Sequence, residues 1–182
     1  MEIDVKNIKA AYTTATESGK ALLCSLFPNL RLDFVTNRIK TFADACNELG
    51  REHPMVIAYF NNAKNAPDIT AYLKLRIITA ALNEGWQPQF SQNERRWYPW
   101  FFLKTDEEVS KTGDDWKRKN SLLSLDNYRG AYCGFVCAYS SDAPSNANAL
   151  IGSRLCYRSE ALADFSGHQF IDLWADYYLI RK

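Results

Sequence analysis

The chain has 182 residues, 47% of them hydrophobic and 14% aromatic, enough apolar material for one domain with a sizeable core and no need of covalent staples. Lysine and arginine number 22 against 21 acids, and a division at residue 90 gives 10 basic with 9 acidic, then 12 with 12, so no basic half or tail is offered to a polyphosphate backbone. The opening MEIDVKNIKA carries acids and no apolar stretch, and no apolar run approaches the ~18 residues of a membrane span, so the sequence predicts a cytoplasmic protein without signal peptide or membrane contact.

Asp4 is placed to cap a helix with Val5, Ile8, Tyr12 and Ala15 at helical spacing, continuing past Gly19 to Leu22, Leu23 and Leu26 until Pro28 stops it. Leu30, Leu32 and Phe34 alternate with Arg31 and Asp33, which suits a short strand or an extended linker equally. From Thr41 to Gly50 a capped helix is expected, with Thr41 and Asp44 at capping-box spacing, Gly50 as its C-terminal stop, and Phe42, Ala45, Cys46 and Leu49 as its buried stripe. The run MVIAYF after Pro54 is too short for periodicity to separate helix from strand. Pro67 and Asp68 open a clearer helix, with Ile69, Tyr72, Leu73, Arg76, Ile77, Ala80 and Ala81 at repeating spacings, closed by Gly85.

Beyond Gly85 the texture becomes extended. RWYPWFFLK (96–104), AYCGFVCAY (131–139) and LIGSRLCYR (150–158) are aromatic and β-branched and read as three strands. Pro99 lacks a ladder donor, which places the first strand at an edge or a bulge, and Gly134 marks a possible second irregularity. Residues 105–127 read as a long polar loop with one short helix around Trp116, and Ser159 caps a final helix whose core side holds Leu162, Phe165, Gln169, Phe170, Leu173, Trp174 and Tyr177. The expected fold is a single α+β domain: a helical N-terminal half, then a small antiparallel sheet of about three strands backed by a C-terminal helix.

Four stretches, IKTFADACNELG (Ile39 to Gly50), ITAALNEGWQPQF (Ile78 to Phe90), RWYPWFFL (Arg96 to Leu103) and GSRLCYRSEALADFSGHQFIDLW (Gly152 to Trp174), carry a resemblance to an uncharacterised family found in phages and mobile elements of gut Bacteroidales. The matches run in the same order over most of the chain, the last being the most specific, and residues 105–127 have none. Ala43 and Arg158 depart from the family, which carries an acid and a lysine there. The family has no established activity, so the resemblance implies phage or mobile-element accessory work in a bacterial host and assigns no catalytic residue.

Arg96, Trp97, Tyr98 and Trp100 set guanidinium beside aromatic rings, and alternation in LIGSRLCYR puts Arg154, Cys156 and Arg158 on one face with Ile151, Leu155 and Tyr157 on the other. If the two strands share a sheet, Arg96, Trp97, Tyr98, Trp100, Arg154, Tyr157 and Arg158 make a candidate ligand site, since rings stack on planar groups and guanidinium forks grip anions. The competing reading is that the rings are core and the arginines are solvated or paired with acids. On the last helix Asp164, His168, Asp172 and Asp176 recur every fourth residue, a spacing a metal ion or a tuned base would use, although the polar face of an amphipathic helix looks the same.

The five cysteines, Cys24, Cys46, Cys133, Cys137 and Cys156, are expected as free thiols. Cys133 and Cys137 stand about 13 Å apart if extended, too far for one zinc ion with sulfur ligands at about 2.3 Å. The acids Asp106, Glu107, Glu108, Asp114 and Asp115 alternate with Lys104, Lys111, Lys117, Arg118 and Lys119 as a solvated connection does. There is no phosphate-binding loop, dinucleotide fingerprint, nucleophile elbow or HExxH. The sequence therefore reads as a non-enzymatic binding protein without cofactor, whose partner is a small anionic or aromatic ligand or a host protein. A nucleic-acid-associated factor, unsupported by charge, and a metal-assisted hydrolase built on Asp164, His168 and Asp172 are the alternatives.

Overall fold

The computed structural model describes residues 4–28, 30–62, 66–124, 128, 133–146 and 153–180. The chain forms two units, Met1–Arg38 and Ile39–Lys182.

The first unit holds α1 (Val5–Thr14), α2 (Glu17–Leu26) and α3 (Val35–Arg38). Asp4 caps α1 as expected, its carboxylate accepting from Lys6 N. The helix expected to run on to Leu26 instead breaks at Ala15, which is extended, and restarts at Thr16, whose hydroxyl accepts from Gly19 N. A threonine followed three residues later by glycine serves a helix better as a new cap than as interior. Leu30–Phe34 forms no strand; Leu32 closes a small core with Ile8 and Tyr12, against which Leu23, Phe27 and Leu30 pack, and the Tyr12 hydroxyl donates to Asp33.

The second unit is α+β. It begins with α4 (Phe42–Leu49), α5 (Pro54–Asn61) and α6 (Pro67–Leu82). Both halves of the Thr41/Asp44 box form, and Gly50 takes a φ of 90° that a side chain would resist. MVIAYF is helical: Pro54 occupies the first turn, where its missing N–H costs nothing, and His53 Nδ1 accepts from Met55 N. Helix α6 is the central post, packed by α4, α5 and the C-terminal helices, with Ala71, Leu75, Ile77, Ile78, Ala81 and Leu82 buried.

Next comes an antiparallel pair, β1 (Arg95–Lys104) and β2 (Gly134–Pro144). Between them residues 105–124 are more ordered than the sequence suggests, with α7 (Asp106–Ser110) and α8 (Asp114–Lys119). Thr105 and Glu108 make a second capping box, and Val109 of α7 packs with Leu122 and Val136. The chain ends with α9 (Glu160–Gln169) and α10 (Ile171–Tyr178), two helices where one was expected, broken at the buried, non-helical Phe170. Ser159 stands at the N-cap position of α9 without a side-chain cap bond. Helix α9 lies on one face of the sheet, where Phe101 and Phe135 stack on each other at 4.7 Å and Phe101 meets Trp174.

The third strand is reduced, among the described residues, to one bridge. Ser153–Leu155 is a 3₁₀ turn and α9 starts at Glu160, which leaves only Tyr157 to exchange backbone hydrogen bonds with Trp97, at 2.8 and 2.7 Å. On the far side of this segment, where another strand would pair, the buried Asn83 amide donates to Cys156 O and accepts from Arg158 N. No helix among the described residues is long and apolar enough to cross a membrane.

Candidate functional site

On β1, Pro99 faces α9 and Phe101, on the same side, meets Trp174 of α10, while Tyr98, Trp100, Phe102 and Lys104 fall by alternation on the outer face. Strand β2 would continue this pattern, placing Tyr139 with Cys137 toward α9, were it regular. Instead Phe101 is paired with Cys137 and Trp100 with Tyr139, so Ala138 is an extra residue opposite no partner. This bulge rotates Tyr139 outward, next to Trp100, while Cys137 stays fully buried.

The outer face thereby acquires an aromatic row. Trp100 and Tyr139 are nearly parallel with centres 6.2 Å apart, Phe102 meets Tyr139 edge-on at 6.2 Å, and Tyr98 lies 6.4 Å from Trp100. Tyr139 is 51% and Phe102 48% exposed, Trp100 is half-buried, and Tyr98 is buried. The sheet's other end is closed by Val109 and Leu122, which lie so near Gly134 that a β-carbon there would stand 2.6 Å from Val109 Cγ2. Lys104 ends the row, its ammonium 5.3 Å from the ring centre of Trp116.

The predicted site residues separate on this frame. Trp97 and Tyr157 are joined through their backbones, yet Tyr157 is fully buried: its hydroxyl shares hydrogen bonds with Thr79 Oγ1 at 2.9 Å and Ser166 Oγ at 2.6 Å, and Trp174 Nε1 donates to the same serine. Burial pushes the Tyr157 phenol up to about 12, so it stays protonated in use. Arg96 is buried as well; burial pushes the Cys156 thiol up to about 11, with the Arg96 charge pulling against it. Arg154 and Arg158 are exposed, but Arg158 pairs with Glu84 at 2.5 Å, and the 3₁₀ turn removes the alternation that would have set Cys156 on their face, since Cys156 is buried. Trp100 and Tyr98 therefore join the aromatic row, whereas Arg96 and Tyr157 are interior.

The Asp164, His168, Asp172 and Asp176 row is divided by the break at Phe170. Asp164 accepts from Ser140 Oγ at 2.5 Å, His168 Nδ1 is buried without a hydrogen-bond partner, Asp172 is exposed, and Asp176 accepts from the Tyr128 hydroxyl. Among the described residues no group of three or more His, Cys, Asp or Glu could hold a metal ion. All five cysteines are free thiols. The loop acids are used locally: Glu107 pairs with Lys111, Asp114 with Lys117 and Asp115 with Arg118, while Glu108 serves the cap.

Sequence reasoning missed Tyr139, because a period-two pattern assigns it to the core, and Phe102, which had been grouped with its strand and given no role. No family model, curated protein or solved structure matches the chain.

Proposed function

We propose that this is a non-enzymatic binding protein, a phage or mobile-element accessory factor of the bacterial cytoplasm, that holds a planar aromatic anion on the outer face of its sheet. The observation that carries the reading is the Ala138 bulge, which turns Tyr139 out beside Trp100 and leaves its ring half exposed, in line with the half-exposed Phe102, where a regular strand would have sealed it. Ring faces of this kind take a flat ligand by stacking, worth ~1–3 kcal/mol per ring on a nucleobase. Lys104 at the end of the row supplies the charge for an acidic substituent. Free thiols suit a reducing compartment, and the genetic setting comes from the family resemblance alone.

Calorimetric titration with AMP, and with a ten-residue oligothymidylate, tests this. AMP binding that falls at least tenfold in Tyr139→Ala, and less in Lys104→Gln, with the circular dichroism of both variants unchanged, supports it. Tight binding of the oligonucleotide with weak binding of AMP would favour the nucleic-acid reading of the same face. Binding of neither probe at about 5 mM, or equal binding by Tyr139→Ala, would remove the site.

A further inference from the structure

A second concavity lies away from the sheet. Residues of α4, of α5 and of the short connection between them line a pocket of about 540 Å³, Phe42, Cys46, Val56, Tyr59 and Phe60 together with Arg51. Such a volume falls in the ~300–1,000 Å³ range of small-molecule sites, which are mostly apolar with a few convergent polar groups. The rings are mutually braced: Phe42 and Tyr59 meet edge-on at 4.7 Å, and Tyr59 and Phe60 at 5.2 Å. Their edge-to-face arrangement extends naturally to a further ring, which gains from the same quadrupole geometry.

Two cationic side chains, Lys74 and Arg51, stand at this apolar pocket. Lys74 of α6 rests its ammonium 5.4 Å from the centre of the Phe42 ring and 5.9 Å from that of Tyr59. Among the described residues neither Lys74 nor Arg51 has a carboxylate partner, in contrast to Arg95, Arg118 and Arg158, each of which is paired with an acid. Asn47 adds a neutral polar group to the lining. An uncharged guest would leave Arg51 without a role, and a large one would exceed the volume.

We propose that the pocket between α4 and α5 is a second binding site, for a small aromatic carboxylate whose ring enters among Phe42, Val56, Tyr59 and Phe60 and whose acid group meets Arg51. Cys46 then reports occupancy. Its half-buried sulfur lines the pocket, and a bound ring shields it from alkylation, while Cys24, exposed in the other unit, serves as the internal control. The site is separate in sequence and in element from the aromatic row on the sheet and stands or falls independently of it.

The full-length protein is treated with iodoacetamide at pH about 8.5, with naphthalene-2-carboxylate or its uncharged carboxamide present, and alkylation is followed peptide by peptide. The carboxylate is expected to bind with a Kd of about 0.1–1 mM and to slow modification of Cys46 at least fivefold, leaving Cys24 unchanged. The carboxamide is expected to bind about tenfold more weakly, a gap that Arg51→Gln closes. Ala43→Trp, a change at an exposed lining position, is expected to block protection without lowering Tm, and Tyr139→Ala to leave it intact. No protection of Cys46 at about 5 mM carboxylate, equal protection by acid and amide, or loss of binding in Tyr139→Ala with retention in Ala43→Trp would each overturn the proposal.

Discussion

Gly167 of α9 lies against Cys137 of β2 with no room for a β-carbon, which would stand 2.4 Å from the Cys137 sulfur and 2.8 Å from Pro99 Cβ. The helix can reach the sheet this closely because the residue has no side chain, and Cys137, itself fully buried, has nowhere to withdraw.

Gly167→Ala is therefore expected to destabilise the protein. In an exposed helix the same change gains about 0.5–1 kcal/mol, but forcing a methyl group into a filled contact costs about 1–3 kcal/mol, and the second effect wins. Urea denaturation should show a lower midpoint with an unchanged slope. Cys137→Ala removes the nearer obstacle, so the double variant should lose less than the two singles combined. A higher midpoint for Gly167→Ala would mean that α9 sits farther from the sheet.

Alkali should loosen this core in a defined window. Burial holds the Cys137 thiol and the Tyr157 phenol up at about 12 and the Cys156 thiol at about 11. The unfolded chain releases these protons at ordinary values, about 9 for a thiol and about 10 for a phenol, so above those values it binds fewer protons than the native state. Stability is intact below about pH 9, falls as the pH rises to about 12, and levels off beyond. Tyr157→Phe should be less stable at neutral pH by about 1–2 kcal/mol, because Thr79 and Ser166 lose a shared partner, and should decline less steeply above pH about 10. Urea midpoints for both proteins at neutral, moderately and strongly alkaline pH decide it, and parallel curves throughout would show that the phenol does not titrate on unfolding.

What could be read from the sequence is what neighbouring residues settle among themselves. The Thr41/Asp44 box, Gly50 and the Pro67 start of α6 depend on contacts within a turn or two, and all are present. Tyr139 was beyond reach, because its orientation depends on one unpaired alanine in a ladder whose register is set by a strand about forty residues earlier. The third strand failed because Ser153–Leu155 coils into a 3₁₀ turn and α9 begins at Glu160, while Asn83, more than seventy residues upstream, takes the outward-facing groups of Cys156 and Arg158 that a further strand would have used. The arginines of the expected site are polar in a list of residues, but only the fold reveals that Arg96 is interior and that Arg158 belongs to Glu84. The break at Phe170 interrupts a periodicity that continues through it, and its ring lies edge-on at 6.2 Å from Phe165 of the preceding helix.

Asn83 acts as a substitute strand, and removing its side chain tests whether the Trp97–Tyr157 bridge can stand without it. The amide is 4% exposed, donates to Cys156 O at 2.8 Å and accepts from Arg158 N at 3.1 Å. Asn83→Ala leaves a buried carbonyl unpaired and is expected to cost about 2–3 kcal/mol. Asn83→Asp keeps the acceptor for Arg158 N but turns an oxygen toward the Cys156 carbonyl, so it should be no more stable than alanine at neutral pH. Hydrogen exchange supplies the local readout: the Trp97 and Tyr157 amides, which bond each other's carbonyls, should exchange faster in both variants relative to the amides of α6. If those two amides keep their protection while global stability drops, the bridge is held by the buried Tyr157 side chain and its Thr79 and Ser166 partners, and the asparagine contributes only to the end of α6.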